Sequence, residues 1–540
     1  MAMKTLILSI GLISCMAGCQ LINKSNESNE EVKNPNILLI MVDDMGFSDI
    51  GAYGSEVHTP NLDKLANEGM RFNQFRNTSK CNTTRASLMT GQYPQEVGMG
   101  ASRGTYRNSV TFGELLQSVG YKTLMVGKHH SSDNPYDMGF DHYWGMRDGA
   151  ANHFNPGYQR EGEALPAHKR QNIRHFCFDA KCVQPYTPPK KTYYSTDSFT
   201  DWAMELLERH EKTDDEQPFF MYLSYTAPHD PIQAWPKDIA KYKGVYDVGY
   251  ETIANARYER QLELGIINEN THQRSKPMHQ SWNELSDKER KDQSRVMQVY
   301  GAMIDNLDQN IGRVLGHLKD TNELDNTLII FLSDNGASAE IVEIGEGEIG
   351  SIDRWASIGG HWANVSNVPF KGYKTDSFEG GVLTPFIVNW PGVVKSGGPI
   401  NETSAHLVDI MATFIDITGA ACPKIFQGEK IGMIDGMSLL PAFKNGTIKR
   451  KIPVFNQWSR GQSVIDGNWK LVVRKSKKRT GQLRAFATGK WELYDLKKDR
   501  TETNNLASSH PEKLAELMAK YNAWWDSVES GKVHLEKPSN

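Results

Sequence analysis

Long hydrophobic runs are scarce in this 540-residue sequence. The one apolar run, residues 6–13, is too short to span a bilayer as a permanent helix, and the chain has no second one. Mean hydropathy is −0.54. These features exclude a polytopic membrane protein. Short-period repeats and heptads are also absent, which excludes coiled-coil and collagen-like proteins.

An excess of charge of either sign is also missing. The 61 Lys and Arg residues nearly balance the 65 Asp and Glu residues, giving a formal net charge of −4 at pH 7. Because neutralising phosphates requires a basic excess, we expect no nucleic-acid partner. With 39% hydrophobic residues the chain can bury a sizeable core. Its length fits about two to four compact units, or one large catalytic domain with an appendage.

The N-terminal segment has the pattern of an export signal. Lys4 precedes the apolar run, and Ala17-Gly18-Cys19 follows it. This arrangement resembles a bacterial lipoprotein box, in which Cys19 would be lipidated; ordinary secretion with cleavage nearby is the alternative. We therefore expect a lipoprotein signal peptide at residues 1–19 and a polar tether at residues 20–35. The expected location is periplasmic or cell-surface, anchored to the membrane.

Cysteine is rare, with six residues in the chain. Two of them belong to the predicted signal segment. Cys177 and Cys182 lie five residues apart in a loop-like stretch and could close a small disulfide, which is common in exported proteins. Cys81 and Cys422 then have no obvious partner, and an unpaired exported cysteine requires a reason.

Apolar runs alternate with helical patterns over residues 36–440. Residues 36–42 form a continuous apolar run, typical of a strand buried on both faces. Further strands are predicted at residues 123–126, 219–225, 327–332 and 385–390. Helices are predicted from Thr59-Pro60 to Gly69, after the Thr111 capping box and from about Ser286. The alternation predicts a large α/β domain with a mostly parallel central sheet flanked by helices.

The pattern changes past about residue 440. Residues 464–473 and 491–496 are predicted as hairpin strands, followed by a helix over residues 511–525. We therefore predict a smaller C-terminal α+β subdomain at residues 441–540. The basic run at residues 474–479 is interpreted as a solvated loop, with contact to an anionic polymer as the alternative.

Polar residues follow two of the predicted strands. Asp43-Asp44 come after residues 36–42, and Asp334-Asn335 come after residues 327–332. In an open α/β sheet the carboxyl ends of the strands form the ligand crevice. If the two strands are neighbours, three carboxylates and an amide oxygen meet there and suit Ca²⁺ or Mg²⁺. The alternative is a pair of turn caps at strand ends.

Cys81 stands close to the start of a predicted helix. Residues 84–90 have a helical pattern that ends at Gly91, and Arg85 lies one turn beyond the cysteine. Free N–H groups at a helix start favour an anion, and Arg85 adds a positive charge. The pattern therefore favours a reactive cysteine over a small buried hydrophobe.

From about residue 36 to residue 507 the chain resembles the type I sulfatases of the alkaline-phosphatase superfamily. Residues 81–85 (CNTTR) resemble the family's C-x-P-S-R signature, with Thr83 at the usual Pro or Ala and Thr84 at the Ser. Residues 120–130 resemble the G-Y-x-T…G-K-W-H block, with His129 in place of Trp. Further blocks resemble family segments in the right order: residues 227–231 (APHDP), 369–374 with 379–381, 491–496 and 502–507.

The resemblance implies a site and a mechanism. In that family the cysteine is oxidised to Cα-formylglycine, whose hydrate is the nucleophile; here this would be Cys81. It implies a Ca²⁺ ion held by Asp43, Asp44, Asp334 and Asn335 together with the modified Cys81. It implies catalytic roles for Arg85, Lys128, His130, His229 and Lys374. Of these, His229 would protonate the leaving oxygen and His130 would deprotonate the second hydroxyl. His361 and Trp362, which precede the Lys374 block, would line the pocket, and core packing explains Trp362 equally well.

The expected function is therefore hydrolysis of sulfate esters, on oligosaccharides derived from sulfated polysaccharides. Expected partners are a sulfated carbohydrate, a formylglycine-generating maturation enzyme and, through Cys19, the membrane. Two alternatives stay open. One is a phosphonate or phosphate ester hydrolase of the same superfamily. The other is a non-catalytic glycan-binding lipoprotein on a decayed scaffold, which the intact set of catalytic residue types argues against.

Overall fold

The apolar run after Pro35 forms the first strand of a nine-stranded sheet in the computed structural model of the chain. The structure describes residues 34–101, 104–169, 174–213, 217–274, 280–459, 461–475, 478–479, 482–483 and 488–530. The predicted signal peptide lies outside the described residues, as does the predicted tether apart from its last two residues. No helix in these ranges is both long and apolar enough to cross a membrane.

The strands follow one another along the whole described chain. They are β1 (Asn36–Val42), β2 (Met70–Phe72), β3 (Phe75–Arg76), β4 (Lys122–Gly127), β5 (His142–Met146), β6 (Phe176–Phe178), β7 (Lys181–Val183), β8 (Phe219–Ser224), β9 (Thr327–Ser333), β10 (Phe386–Asn389), β11 (Ala405–His406), β12 (Ile425–Phe426), β13 (Glu429–Lys430), β14 (Val454–Trp458), β15 (Gly461–Asp466), β16 (Trp469–Arg474), β17 (Lys478–Arg479), β18 (Gln482–Leu483) and β19 (Glu492–Asp495).

The helices alternate with these strands in the first three quarters of the chain. They are α1 (Pro60–Glu68), α2 (Cys81–Thr90), α3 (Phe112–Gln117), α4 (Ser195–Glu211), α5 (Pro236–Lys241), α6 (Tyr250–Glu263), α7 (Asp287–Asp320), α8 (Gly359–Ser366), α9 (Glu379–Val382), α10 (Asp409–Thr418), α11 (Leu440–Asn445) and α12 (Pro511–Ser530).

The large sheet has the order β2-β10-β9-β1-β8-β4-β5-β6-β7. Its central five strands, from β9 to β5, are parallel to one another. The outer strands β10, β2, β6 and β7 pair antiparallel. The prediction of a mostly parallel central sheet flanked by helices is therefore confirmed.

Both faces of this sheet are buried. Along β1, Leu38 and Ile40 pack into one apolar core, and Leu39 and Met41 pack into a second core on the other side. The first core contains residues of α4 and α7, and the second contains residues of α2, α3 and α10. A strand with helices on both faces must be apolar at every position, which explains the continuous run of residues 36–42.

Sequence signals at several helix ends are confirmed by the contacts that form there. The Ser286 hydroxyl accepts a hydrogen bond from the Glu289 N–H at the start of α7, and Thr111 makes the same bond with Glu114 at α3. The helix α2 begins earlier than the pattern of residues 84–90 predicts. Its first residue is Cys81.

The C-terminal segment forms a four-stranded antiparallel sheet of order β14-β15-β16-β19, with α12 against it, as predicted. Leu471 of this sheet packs against Leu517 and Trp524 of α12. On the opposite face, Val472 packs against Phe378, which precedes α9. The small sheet therefore supports the segment that carries Lys374.

The expectation of a solvated loop at residues 474–479 is wrong at its first residue. Arg474 ends β16 and is buried, and its Nη1 donates to the carbonyl oxygen of Thr375 at 2.7 Å. Its charge is balanced by Asp376, whose Oδ1 lies 3.3 Å away. An arginine that has a carboxylate and a carbonyl as partners can be buried without an uncompensated charge.

The cysteines divide as the sequence suggested. Cys177 in β6 and Cys182 in β7 form a disulfide across the hairpin. Cys81 and Cys422 are free thiols, the first buried and the second partly buried. Cys81 is therefore a buried thiol that no disulfide accounts for.

Candidate active site

The candidate active site lies at the carboxyl ends of the central parallel strands. Strands β1 and β9 are neighbours, and Val42 is paired with Ser333, so Asp43 and Asp334 leave the sheet side by side. Lys128 follows β4, and the segment with His229 follows β8. The prediction that the two acidic pairs meet in one crevice is therefore confirmed.

The acidic residues form a buried cluster with unused oxygen atoms. One ligand atom each from Asp43, Cys81 and Asp334 lies within 4.8 Å of the others, and the same holds for Asp43, Asp44 and His229. In the described chain, Asp43 Oδ1 and Asn335 Oδ1 are buried and have no hydrogen-bond partner. Buried acceptors of this kind are expensive unless they bind a donor or a cation.

The carboxylates of this cluster also repel one another. Burial and the neighbouring charge of Asp43 raise the pKa of Asp334 well above its usual range, although Arg85 lies beside it. A hard divalent cation would relieve that repulsion and would use the unpartnered oxygens of Asp43 and Asn335. The residues present therefore fit Ca²⁺.

Cys81 is the first residue of α2 and is fully buried. Burial alone would raise the pKa of its thiol, but Lys128, Lys374 and Lys80 hold that pKa well below its usual range. The side chain at position 81 thus lies in a positively charged environment. A negatively charged group is favoured there, as the sequence suggested.

Thr83, which departs from the family signature, is held within this helix start. Its hydroxyl donates to the carbonyl oxygen of Lys80 at 2.9 Å and accepts from the Thr78 hydroxyl at 2.7 Å. The Thr84 hydroxyl accepts from the Thr78 N–H at 3.2 Å. The two threonines therefore satisfy polar groups just before and inside the first turn of α2.

Arg85 joins α2 to the acidic cluster. Its Nη2 and Nε donate to Asp334 Oδ2 at 2.8 and 3.1 Å. Its Nη1 donates to the Lys128 carbonyl oxygen at 3.0 Å and also bonds Ser224 Oγ. All of these groups are buried, so Arg85 is fixed in one orientation next to Cys81.

Two lysines balance the aspartates. Lys128 Nζ is hydrogen-bonded to Asp43 Oδ2, and Lys374 Nζ lies 2.6 Å from Asp44 Oδ1. Both ammonium groups are fully buried. They reach the cluster from opposite parts of the sequence, and both lie close enough to Cys81 to lower the pKa of its thiol.

The two histidines of the site have opposite protonation preferences. Burial, aided by Lys128 and Lys80, lowers the pKa of His130 to about 4, although Cys81 acts in the other direction. Burial would also lower the pKa of His229, but Asp44, Asp43 and Asp230 raise it to about 9. At neutral pH His130 is therefore neutral and His229 is protonated.

Asp230 orients His229. Its Oδ1 lies 2.7 Å from His229 Nδ1, and its Oδ2 accepts from Ser357 Oγ at 2.6 Å and from Trp355 Nε1 at 3.1 Å. His229 Nε2 lies 3.5 Å from Asp44 Oδ2. Asp230 is not among the residues that the sequence motifs indicate, although its position directly after His229 is a usable signal.

Three residues of the site adopt left-handed backbone conformations. The φ angles are 65° at Asp44, 67° at His130 and 74° at Thr375, which follows Lys374. Non-glycine residues rarely adopt this region, and such positions concentrate at functional sites. His130 directly follows a second histidine, His129. His129 is buried and stacks on Tyr106 with ring centroids 5.9 Å apart.

Not every residue singled out in the sequence reaches the site. Trp362 is buried, and its Nε1 donates to the Gln293 carbonyl oxygen at 2.8 Å. His361 stacks on Tyr250, with ring centroids 4.8 Å apart. The core interpretation is therefore the right one for Trp362.

The C-terminal sheet holds two loops of the site. Asn456 Nδ2 donates to Ser377 Oγ at 3.0 Å and to Ser79 Oγ at 3.4 Å. The Thr375 N–H donates to the Ser79 carbonyl oxygen at 2.6 Å. The loop before Cys81 and the loop after Lys374 are thereby tied to each other and to β14. No local sequence signal points to Asn456, because its two partners lie 79 and 377 residues away in the sequence.

Two protein-family profiles match the chain. The family profile described as Sulfatase matches residues 35–420. A second profile, described as N-sulphoglucosamine sulphohydrolase, C-terminal, matches residues 374–524.

Individual curated proteins match over most of the chain. An uncharacterised sulfatase of Schizosaccharomyces pombe is 34% identical and covers 92% of this chain and 93% of its own length. An arylsulfatase of Klebsiella aerogenes is 32% identical, and the match covers 75% of this chain and 91% of the arylsulfatase. An N-acetylglucosamine-6-O-sulfatase of Bacteroides thetaiotaomicron is 26% identical, and the match covers 95% of this chain and 89% of that sulfatase.

Solved structures share the fold. Ps i-CgsB in complex with k-i-k-neocarrahexaose has a TM-score of 0.64 at 24% identity, covering 91% of this chain and 93% of its own. A structure in complex with its substrate D-glucosamine-2-N,6-O-disulfate has a TM-score of 0.61 at 22% identity, covering 94% and 100%.

Proposed function

The chain belongs to the sulfatase family and is a sulfuric ester hydrolase, and we propose that it hydrolyses sulfated saccharides through a Cα-formylglycine formed from Cys81 and with a bound Ca²⁺. One observation carries the proposal. Cys81 lies buried at a helix start with Asp43 and Asp334 beside it, and with Lys128 and Lys374 close enough to lower the pKa of its thiol. A sulfate ester is an anion, and buried cations lie close to the proposed nucleophile position.

The proposed Ca²⁺ ligands are Asp43, Asp44, Asp334, Asn335 and the modified side chain at position 81. The ion would supply positive charge against the sulfate oxygens. The unpartnered oxygens of Asp43 and Asn335 support this assignment. Arg85 contributes by holding Asp334 in place through two hydrogen bonds.

Converted to Cα-formylglycine, residue 81 would supply an aldehyde hydrate whose hydroxyl attacks the sulfur atom. Asp334 would take the proton of that hydroxyl, and Arg85 would stabilise the resulting negative charge, because its guanidinium bonds Asp334 and is fixed beside Cys81. Lys128 and Lys374 would bind sulfate oxygens and orient the ester.

Two proton transfers complete the proposed reaction. His229, protonated at neutral pH, would donate a proton to the departing sugar oxygen. His130, neutral at the same pH, would accept a proton from the remaining hydroxyl at residue 81 so that sulfate can leave. The opposite pKa shifts of the two histidines support this division between acid and base.

The saccharide class is supported by the relatives. The Bacteroides thetaiotaomicron N-acetylglucosamine-6-O-sulfatase covers 95% of the chain, and a pig N-acetylgalactosamine-6-sulfatase covers 80% at 27% identity. We further propose that the protein is an exported lipoprotein anchored through Cys19 and that a maturation enzyme oxidises Cys81. The pattern Ala17-Gly18-Cys19 supports the anchor.

The substrate class is tested by comparing ester types. Matured protein should hydrolyse 4-nitrophenyl sulfate and O-sulfated mono- and disaccharides, and should hydrolyse 4-nitrophenyl phosphate at least about 10²-fold more slowly in kcat/KM. Turnover of the phosphate ester at an equal or higher rate would contradict the proposal and favour the phosphate ester alternative.

Replacing His229 with alanine should affect poor leaving groups more than good ones. A sugar alkoxide needs a proton as the S–O bond breaks, whereas a nitrophenolate hardly does. We expect a sugar sulfate to lose on the order of 10²–10⁴-fold in rate, and 4-nitrophenyl sulfate to lose about tenfold or less. The rates of the variant and of the parent protein on both substrates give the loss for each substrate and the ratio of the two losses.

His361→Ala is the matched control for that variant. His361 stacks on Tyr250 and is not part of the proposed proton transfers. Replacing it should leave the ratio of the sugar sulfate rate to the 4-nitrophenyl sulfate rate unchanged. Equal losses on both substrates in the His229 variant would instead assign His229 to sulfate binding.

A further inference from the structure

A large cavity lies between the C-terminal sheet and the large domain. It has a volume of about 810 Å³, within the size range of small-ligand sites. One wall comes from the large domain, including Asn73 and Glu402, and from residues 447–450 of the segment that precedes the small sheet. The other comes from the small sheet and the chain after it, including Asn468, Lys497 and Arg500. None of the ten proposed site residues lines it.

The wall of this cavity is positively charged. Its cations are Lys449, Arg450, Lys497 and Arg500, and its carboxylate is Glu402. His272 adds no charge at neutral pH, because burial and the neighbouring Arg500 lower its pKa to about 4. A chain with a net charge of −4 therefore concentrates cations at this cavity. Such a wall attracts anions.

Two arginines at the cavity keep buried N–H donors that are not used. Arg450 binds Asp409 through Nη1 at 2.6 Å and the Ile452 carbonyl oxygen through Nε at 3.0 Å. Its Nη2 has no partner within the described ranges, and neither does Arg500 Nη1. Buried charged donors without an acceptor are costly, so both groups suit an anionic ligand.

Arg500 is the less compensated of the two. Burial and repulsion from Arg76 lower the pKa of Arg500 to about 10, because Arg76 lies near it and already pairs with Glu379. Its backbone N–H donates to the Thr271 carbonyl oxygen at 2.8 Å, which fixes the residue at the cavity wall.

The rest of the lining suits hydroxyl groups. Neutral polar side chains surround the cations, and Asn73 Oδ1 is a further buried acceptor without a partner among the described atoms. These side chains are Asn73, Gln74, Asn268, Thr271, Thr447 and Asn468. The described lining contains no Phe, Tyr or Trp. A sugar with an acidic substituent would find both donors and acceptors in this lining.

We propose that this cavity is a second binding site for an anionic saccharide, whose sulfate or carboxylate group is bound by Arg500 and Arg450 and whose hydroxyls are bound by the amide and hydroxyl side chains. The site is separate from the proposed active site, and its binding does not depend on the reaction there. It would hold a sulfated chain on the enzyme at a second point.

Binding of 3′-sulfolactose to the full chain tests this proposal. The Cys81→Ala background prevents turnover, and calorimetric titration counts the sites. We expect two classes of site in this background and one after Arg500→Gln. The exposed double variant Lys449→Ala/Lys497→Ala should weaken the second class at least about tenfold, even if Arg500→Gln fails to fold. Lys498→Ala is the matched control, since this neighbour is 82% exposed and does not line the cavity.

Two probes identify the ligand. Lactose should bind the second class at least about tenfold more weakly than 3′-sulfolactose, and so should sodium sulfate. Equal binding of sodium sulfate would overturn the saccharide assignment in favour of a simple anion site. A single class in the parent, or a second class that survives both sets of variants, would overturn the site itself. When Cys81 is retained, the Lys449→Ala/Lys497→Ala variant should hydrolyse 4-nitrophenyl sulfate within about twofold of the parent rate. Loss of binding at the second site is thereby distinguished from failure of the proposed reaction.

Discussion

Alanine at position 81 is expected to lower kcat/KM by at least about 10³-fold, because removal of a nucleophile removes the bond-forming step and leaves only binding and electrostatic contributions. The variant should fold, since Cys81 forms no disulfide and alanine fits the same helix start. Turnover of 4-nitrophenyl sulfate measures the loss, and thermal unfolding checks the fold.

Cys422, the other free cysteine among the described residues, supplies a matched control. Cys422 is partly buried, and burial raises the pKa of its thiol, so it lacks the positively charged surroundings of Cys81. Cys422→Ala should keep activity within about twofold. Substantial turnover by Cys81→Ala would disprove the proposed nucleophile, whatever the state of Cys422.

The same prediction has a readout by mass. Protein made together with a competent maturation system should carry formylglycine at position 81, and the peptide containing it should show the altered mass. Protein made without such a system should keep the thiol and have little activity. Full activity of protein in which this peptide retains the thiol would exclude formylglycine from the reaction.

Removal of Ca²⁺ is expected to lower activity at least about 10²-fold, which corresponds to the several kcal/mol that a metal contributes to stabilising negative charge in a transition state. Without a cation, Asp43 and Asp334 repel each other and burial favours protonation of Asp334. Exhaustive chelation followed by turnover of 4-nitrophenyl sulfate measures the loss.

Metal replacement and a variant sharpen this test. Ca²⁺ should restore activity better than Mg²⁺, because a site with several protein oxygen ligands suits the larger ion. Asp334→Ala should be inactive and should not respond to added Ca²⁺. Full activity after chelation, confirmed by metal analysis of the protein, would remove the ion from the mechanism.

Part of the site could be predicted because it depends on strand order and local pattern. Residues 36–42 are apolar at every position, as a central parallel strand requires, and the acidic residues follow at the strand end. The pattern of residues 84–90 and Gly91 after it predict a helix, which the structure extends back to Cys81. The neighbouring positions of β1 and β9 then place Asp43 beside Asp334, as the hypothesis of one crevice required.

Other parts depend on contacts between distant segments. The burial of Arg474 follows from its pairing with Asp376 and Thr375, which lie about 100 residues earlier. The run of basic residues gave the opposite indication, since a charged residue is buried only when tertiary structure supplies its partner. The cavity beside the C-terminal sheet also depends on contacts between distant segments, because its walls come from two parts of the fold.

The sequence by itself determined the fold class, the strand-end carboxylates and the residue types of the helix that begins at Cys81, because periodicity, capping and spacing act over a few neighbouring residues. The tertiary structure alone decided the opposite pKa shifts of His130 and His229 and the contacts of Asn456 with the loops before Cys81 and after Lys374. Those properties arise from burial and from charges brought together through space. A single sequence does not contain these distances; packing creates them.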